Sequence, residues 1–147
     1  MIAPVLRYFE VLCAVLAVQG LGWALIGSFD PFGIWDCLAA RALYAAPRIP
    51  NEALPLARLH LVLLGATDAG FFVLLYFLVR HGISSGLAWA HRAAVCGIGT
   101  WFLTDTLGSL YLGAWFNVAL VNLPALLLMA VPLWSLRNLP RERRSVR

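Results

Sequence analysis

Two aspartates lie inside stretches of sequence that are otherwise apolar enough to dissolve in lipid. Asp68 is in the middle of one stretch, and Asp105 is in the next, one helical turn after Trp101 and beside Thr104. An ionised carboxylate at the centre of a bilayer costs about 3 kcal/mol on insertion scales, so such a group faces the protein interior, lines a polar cavity or is protonated. A carboxyl group in that position can exchange a proton or bind the polar head of a ligand. The two aspartates are therefore the start of a predicted site.

Further polar side chains extend this site over four apolar segments. Trp101 and Asp105 are four residues apart with Thr104 beside them, so the polar groups form a stripe on one side of a helix. His60 precedes Asp68 by eight residues, a rotation of about 80° and a rise of about 12 Å, so both side chains can border one face. The predicted ligand-binding residues are Asp68, Asp105, His60, Thr104, Trp101, Asn117, Asn122 and Gln19.

The composition of the chain indicates a membrane protein. Of 147 residues, 62% are hydrophobic and 12% are charged, whereas soluble domains are about a quarter charged. Four apolar segments are each close to the ~20 residues that cross a bilayer as a helix. We predict an all-α fold, an integral membrane four-helix bundle, as a single transmembrane domain over residues 1–147. The predicted helices cover 5–28, 54–80, 87–111 and 114–136, followed by a basic cytoplasmic tail over 137–147.

The first connection of the bundle is long. Asp30, Pro31 and Gly33 end the first helix, because Pro and Gly at this spacing break a helical pattern. Residues 34–46 then carry an apolar side and predict a short helix on the extracytoplasmic surface, capping the outer end of the bundle.

Small residues predict where helices pack closely. The first helix has glycines spaced with Ala24, and Gly65 and Ala69 flank Asp68 in the second. At the cytoplasmic interface we expect Arg7 to pair with Glu10 one turn later.

The distribution of arginine predicts the topology. Positive charge near helix ends stays cytoplasmic. With the N-terminus inside, the inner side holds Arg7, Arg80, Arg92, Arg137, Arg141, Arg143, Arg144 and Arg147, and the outer side holds Arg41, Arg48 and Arg58. We therefore predict a multi-pass protein of the bacterial inner membrane with both termini cytoplasmic. His81 and His91 then lie at the inner interface, where we expect both to be solvated.

The predicted orientation places the polar side chains in the outer half of the membrane. One interpretation is a polar pocket that opens outward above a dry cytoplasmic floor. The alternative is that these groups hold the helices together through interhelical hydrogen bonds. That alternative explains threonines and asparagines better than two aspartates, because no arginine lies at their depth. We expect at least one of the two carboxyl groups to be protonated and to donate a hydrogen bond.

Three classes of function fit such a bundle. The first is a binding or accessory subunit that holds a lipid-like or small amphipathic ligand, alone, as a homo-oligomer or within a larger membrane complex. The second is a membrane-embedded enzyme that uses Asp and His as acid and base on a lipid-like substrate. The third is an oligomeric proton-linked transporter. The spacing of Cys13, Cys37 and Cys96 predicts no metal site, and we expect no cofactor. Membrane lipid is an expected partner, and nucleic acid is not.

The length and helix number are similar to those of small multidrug-resistance exporters. The membrane carboxylate of that family is a glutamate in the middle of the first helix. Here Glu10 lies at the start of the first helix, and the membrane carboxylates follow on later helices. The likeness therefore does not extend to the residues that would carry transport.

Overall fold

The computed structural model of the protein describes residues 2–26 and 33–139, and most of these residues are helical. No strand occurs in these two ranges. The predicted end of the first helix at 28, the turn at Asp30 and Pro31, and the tail beyond 139 lie outside them. The helices are α1 (Ile2–Ile26), α2 (Ile34–Tyr44), α3 (Leu54–Ile83), α4 (Ala88–Tyr111) and α5 (Trp115–Leu136).

Three of the helices, α1, α3 and α5, are long and apolar enough to cross a membrane. The prediction of a membrane protein with transmembrane helices is confirmed at this level. Helix α4 has 24 residues, about 36 Å at 1.5 Å per residue, so its length also suffices. Its polar stripe makes it less apolar than the other three.

Two of the long helices contain a segment of wider π-helical winding. The last turns of α3, Leu78–Ile83, have this form. The segment Val118–Asn122 of α5 also has it and ends two residues before Pro124. A proline ring clashes with the carbonyl four residues earlier in a regular helix, and a local change of winding is one way to relieve the clash.

Helices α1 and α3 approach each other backbone to backbone. A Cβ added to Gly20 would lie 2.7 Å from the carbonyl oxygen of Gly65 and the amide nitrogen of Ala69. A Cβ added to Gly65 would lie 2.5 Å from the carbonyl oxygen of Gly20 and 2.6 Å from the nitrogen of Ala24. Both helices thus present two small residues four apart, the spacing that lets membrane helices touch backbone to backbone. The predicted close packing of these segments is confirmed.

The hydrophobic core lies at one end of the helices. We call this the inner end; it contains the start of α1 and α4 and the end of α3 and α5. The opposite end, which carries α2, is the outer end. The core side chains are Phe9, Cys13, Ala17, Phe72, Leu75, Val79, Ile83, Ala90, Ala94, Ile98, Met129, Leu133, Leu136 and Leu139.

Polar contacts at the inner end join neighbouring helices. Glu10 forms an ion pair with Arg80 of α3 at 3.1 Å, and not with Arg7 as predicted. The local spacing allowed the Arg7 pair, but packing of α1 on α3 brings a partner from another helix. His91 is half-buried and its Nε2 lies 2.9 Å from the carbonyl oxygen of Leu133, so the expectation that it is solvated was wrong.

A hydroxyl group compensates for the proline in the last part of α5. Pro132 has no N–H to donate to the carbonyl of Leu128, four residues earlier. The hydroxyl of Tyr8, on α1, donates to that carbonyl oxygen at 3.4 Å. This contact ties the start of α1 to α5.

We expect Tyr8→Phe to lower the free energy of unfolding by about 0.5 kcal/mol, the usual value of an interhelical hydrogen bond in membranes. The loss should vanish in a Pro132→Ala background, because an alanine at that position supplies its own N–H to the carbonyl of Leu128. Thermal melting of the two single variants and the double variant in detergent measures this coupling. Equal losses from Tyr8→Phe in both backgrounds would show that the hydroxyl is not compensating for the proline.

Helix α2 packs on the start of α5. The Trp35 and Phe116 rings meet edge to face with centroids 5.0 Å apart, and Ala40 is fully buried. This contact places α2 beside the outer end of the long helices.

Candidate functional site

Asp105 is the centre of a hydrogen-bonded cluster between α4 and α5. Its Oδ1 accepts from the hydroxyl of Ser109 at 3.0 Å and from Nδ2 of Asn117 at 2.9 Å. Asn117 also donates to the Ser109 hydroxyl oxygen at 2.8 Å. Ser109 is one turn after Asp105 on α4, and Asn117 comes from the first turns of α5, so the short connection between the helices brings the three together.

Asn122 extends the cluster toward the middle of the helices. It is fully buried. When its amide oxygen faces Thr106, it accepts from the Thr106 hydroxyl at 3.1 Å and from the Thr106 backbone nitrogen at 3.3 Å. Its Nδ2 then donates to Oδ2 of Asp105 at 3.3 Å. We favour this orientation because it gives the carboxylate a donor and the amide oxygen two donors of its own.

Asp105 is therefore well partnered although no basic side chain contributes. Three neutral donors from Ser109, Asn117 and Asn122 surround its two oxygens. Among the residues that the structure describes, every deeply buried side-chain nitrogen or oxygen atom has a hydrogen-bond partner. The cluster holds α4 to α5, so part of the predicted site serves helix packing.

Asp68 faces the same region from α3. Phe71, one turn further inward on α3, lies against Gly97 of α4, where an added Cβ would be 3.5 Å from the Phe71 ring. On α4, Trp101 is one turn outward from Gly97. On α3, Asp68 is one turn outward from Phe71, so Asp68 and Trp101 are at a similar level. Asp68 is half-buried and lies within electrostatic range of Asp105, whose negative charge acts on it.

Asp68 differs from Asp105 in its partners. Within residues 2–26 and 33–139 its carboxyl group forms no hydrogen bond and no ion pair. Two carboxyl groups therefore lie in one region of the bundle, and that of Asp68 has no donor to stabilise it. In a low-dielectric surrounding, such a group is stabilised by protonation or by an external partner.

Helices α3 and α4 approach each other mainly at the inner end. Their close backbone contacts are concentrated at Leu78–Ile83, the end of α3 that leads into α4. Gly82 there lies so near Ala90 that an added Cβ would be 2.5 Å from the Ala90 side chain. Further outward the two helices separate, and Asp68 and Trp101 lie on the sides that face this separation.

Other members of the predicted set are arranged differently. Trp101 is half-buried and packs on the outer edge of the hydrophobic core. Thr104 is exposed, and its hydroxyl donates to the carbonyl oxygens of Thr100 at 2.7 Å and Trp101 at 3.2 Å on its own helix. A threonine bonded in this way can face lipid without an unpaired hydroxyl.

His60 and Gln19 are exposed and do not join the cluster. His60 is two turns outward from Asp68 on α3. Gln19 precedes Gly20, whose backbone contacts α3, but its own side chain is exposed. No group of three His, Cys, Asp or Glu side chains that could hold a metal ion occurs within the described ranges.

Two members of the cluster, Ser109 and Thr106, were missing from the predicted set. Ser109 had a usable signal, since it continues the row of Asp105 by four residues. Thr106 had no such signal, because its contact with Asn122 depends on how α5 packs against α4.

No protein-family model matches the chain, and neither a curated protein nor a solved structure is significantly similar to it. We therefore infer the function of the protein from the geometry of its side chains.

Proposed function

We propose that this protein is a small integral membrane protein that binds the polar head of a lipid-like or small amphipathic ligand in the outer half of its helix bundle, as a binding or accessory subunit. The ligand lies between α3 and α4, with its head at Asp68 and Asp105 and its apolar part along Trp101. It enters from the outer end, where the two helices separate.

The observation that carries this proposal is the difference in hydrogen-bond donors between the two carboxyl groups. Asp105 has donors from three side chains, which accounts for it as a packing residue. Asp68 is half-buried near a like charge without any donor in the described part of the chain. A purely structural role gives Asp68 no stabilising contact, whereas a ligand head group that donates hydrogen bonds would supply one.

The same geometry weighs against the other two classes of function. Acid–base catalysis by an Asp and His pair needs hydrogen-bond reach, and His60 is exposed two helical turns from Asp68. Transport needs a path to the inner side, and the hydrophobic core of the inner end fills the space between the four long helices there.

The proposal includes the arrangement in the membrane. Helix α4 is the fourth span, because its polar groups at Asp105, Thr106 and Ser109 are turned toward α5 and bonded to Asn117 and Asn122 there. Helix α2 lies on the extracytoplasmic surface beside Phe116. The basic inner end is cytoplasmic, in a bacterial inner membrane.

Mass spectrometry of the lipids and small molecules that co-purify with the protein in mild detergent tests the proposal. We expect one amphipathic compound to be retained by the wild type and depleted in Asp105→Asn. The asparagine keeps an acceptor oxygen for Ser109 and Asn117. The Asn122 amide can turn over, so that its Nδ2 donates to the Thr106 hydroxyl and its oxygen accepts from the new amide, and the variant should melt near the wild type.

Thr67→Ala is the matched control, because Thr67 is exposed beside Asp68 and its hydroxyl bonds only the Leu63 carbonyl of its own helix. The control should retain the compound. Outright unfolding of Asp105→Asn in detergent melting would show that Asp105 acts in helix packing alone and would refute its part in binding. Wild-type retention of every compound by this variant would refute the binding site.

A further inference from the structure

The inner end carries more positive than negative charge in its described part. Arg7, Arg80, Arg92 and Arg137 are exposed there, and Glu10 is the acidic side chain that the described residues place at this end. Glu10 is engaged by Arg80 at 3.1 Å. The other three arginines have no acidic partner within residues 2–26 and 33–139.

The contact of His91 with Leu133 shows which of these arginines share a surface. It joins the first turns of α4 to the last turns of α5, and the two helices run antiparallel. Take one residue on each of two antiparallel helices, with the two residues facing each other. Because both helices are right-handed, the next residue of each helix then lies on the same side of the pair. Arg92 and Trp134 therefore lie on one side of α4 and α5. Arg137, three residues after Trp134, leans from α5 toward α4 on that side.

Two tryptophans frame this surface. Trp134 is 69% exposed, and the guanidinium carbon of Arg137 lies 3.6 Å from the centre of its ring. Trp89, one turn before Arg92 on α4, is 57% exposed. Exposed tryptophans mark the level of lipid head groups, and a guanidinium held on a tryptophan ring keeps its N–H groups free for an anion.

We propose that Arg92, Arg137, Trp89 and Trp134 form a binding surface for the phosphate of an anionic phospholipid at the inner leaflet. The two guanidinium groups, one from each helix, bind the head group. The indole rings lie against the upper acyl chains. This surface is at the opposite end from Asp68 and does not depend on the proposed outer site.

Native mass spectrometry of the full chain in detergent, titrated separately with phosphatidylglycerol and phosphatidylcholine, tests the proposal. The wild type should bind phosphatidylglycerol at least about fivefold more tightly, since each arginine near an anionic surface contributes on the order of 1 kcal/mol. In the double variant of Arg92→Gln and Arg137→Gln the preference should fall below about twofold. Both side chains are exposed, so we expect the double variant to keep the wild-type fold.

Two matched variants test whether the lipid preference depends on this surface or on any exposed arginine. Arg41→Gln, on α2, changes an exposed arginine at the outer end, and Arg7→Gln changes one at the inner end on α1. Both should keep the wild-type preference. An unchanged preference in the double variant would overturn the proposal, and so would an equal loss in Arg7→Gln.

Discussion

Gly65→Ala is expected to lower the free energy of unfolding by about 1–3 kcal/mol, the usual range for overpacking a tight contact. The added methyl would lie 2.5 Å from the carbonyl oxygen of Gly20, 2.6 Å from the nitrogen of Ala24 and 2.8 Å from Cβ of Trp23. The first two are backbone atoms, so α1 must move away from α3 as a body. The measurement is thermal or denaturant unfolding in detergent.

Gly70→Ala is the matched control on the same helix. Gly70 is exposed, and no atom lies within 4 Å of the position of an added Cβ. Alanine is favoured over glycine in a helix by up to about 1 kcal/mol, so this variant should be neutral or more stable. Equal destabilisation by both substitutions would mean that α1 and α3 do not cross at Gly65.

Asn117→Leu is expected to lower the free energy of unfolding by about 1–2 kcal/mol. The amide donates to both Asp105 and Ser109, at 2.9 and 2.8 Å. Leucine has nearly the same size but no donor, so the carboxylate loses one of its partners while it stays half-buried. Unfolding in detergent at neutral pH measures the loss.

Thr104→Val provides the comparison, because Thr104 is exposed and its hydroxyl bonds only its own helix. Its removal should change stability by less than about 0.5 kcal/mol. If Asn117→Leu were as harmless as Thr104→Val, the cluster around Asp105 would not hold α4 to α5.

The sequence was sufficient to predict features that depend on one helix or on chain connectivity. Small residues four apart near Ala24 and Ala69 indicated the crossing of α1 and α3. The short connection between α4 and α5 made Asn117 a neighbour of Asp105. Such features follow from helical periodicity and loop length, and both can be read from the sequence.

Features that depend on the relative rotation and tilt of separate helices could not be predicted. Glu10 had a local candidate in Arg7, yet α3 delivers Arg80 to it. His91 was expected to be solvated, yet the end of α5 brings a carbonyl oxygen to it. The sequence also did not predict the π-helical winding of Leu78–Ile83, the segment where α3 meets α4.

The separation of α3 and α4 beyond that segment is what distinguishes Asp68 from Asp105. Periodicity could place both carboxyl groups on inward faces, but it could not assign donors to one and none to the other. The structure gives Asp105 its donors from α4 and α5 and leaves Asp68 facing across a wider gap.

The most direct test of the account is Asp68→Asn, with retention of the co-purifying compound measured first and thermal melting measured after the compound has been removed from both proteins. Removing a carboxyl group that has no donor and faces a like charge should leave the melting temperature of the ligand-free protein unchanged or higher. The same change should reduce retention of the compound at least about tenfold, the effect of losing one charge-assisted hydrogen bond. A lower melting temperature with unchanged retention would show that Asp68 supports the fold and binds nothing.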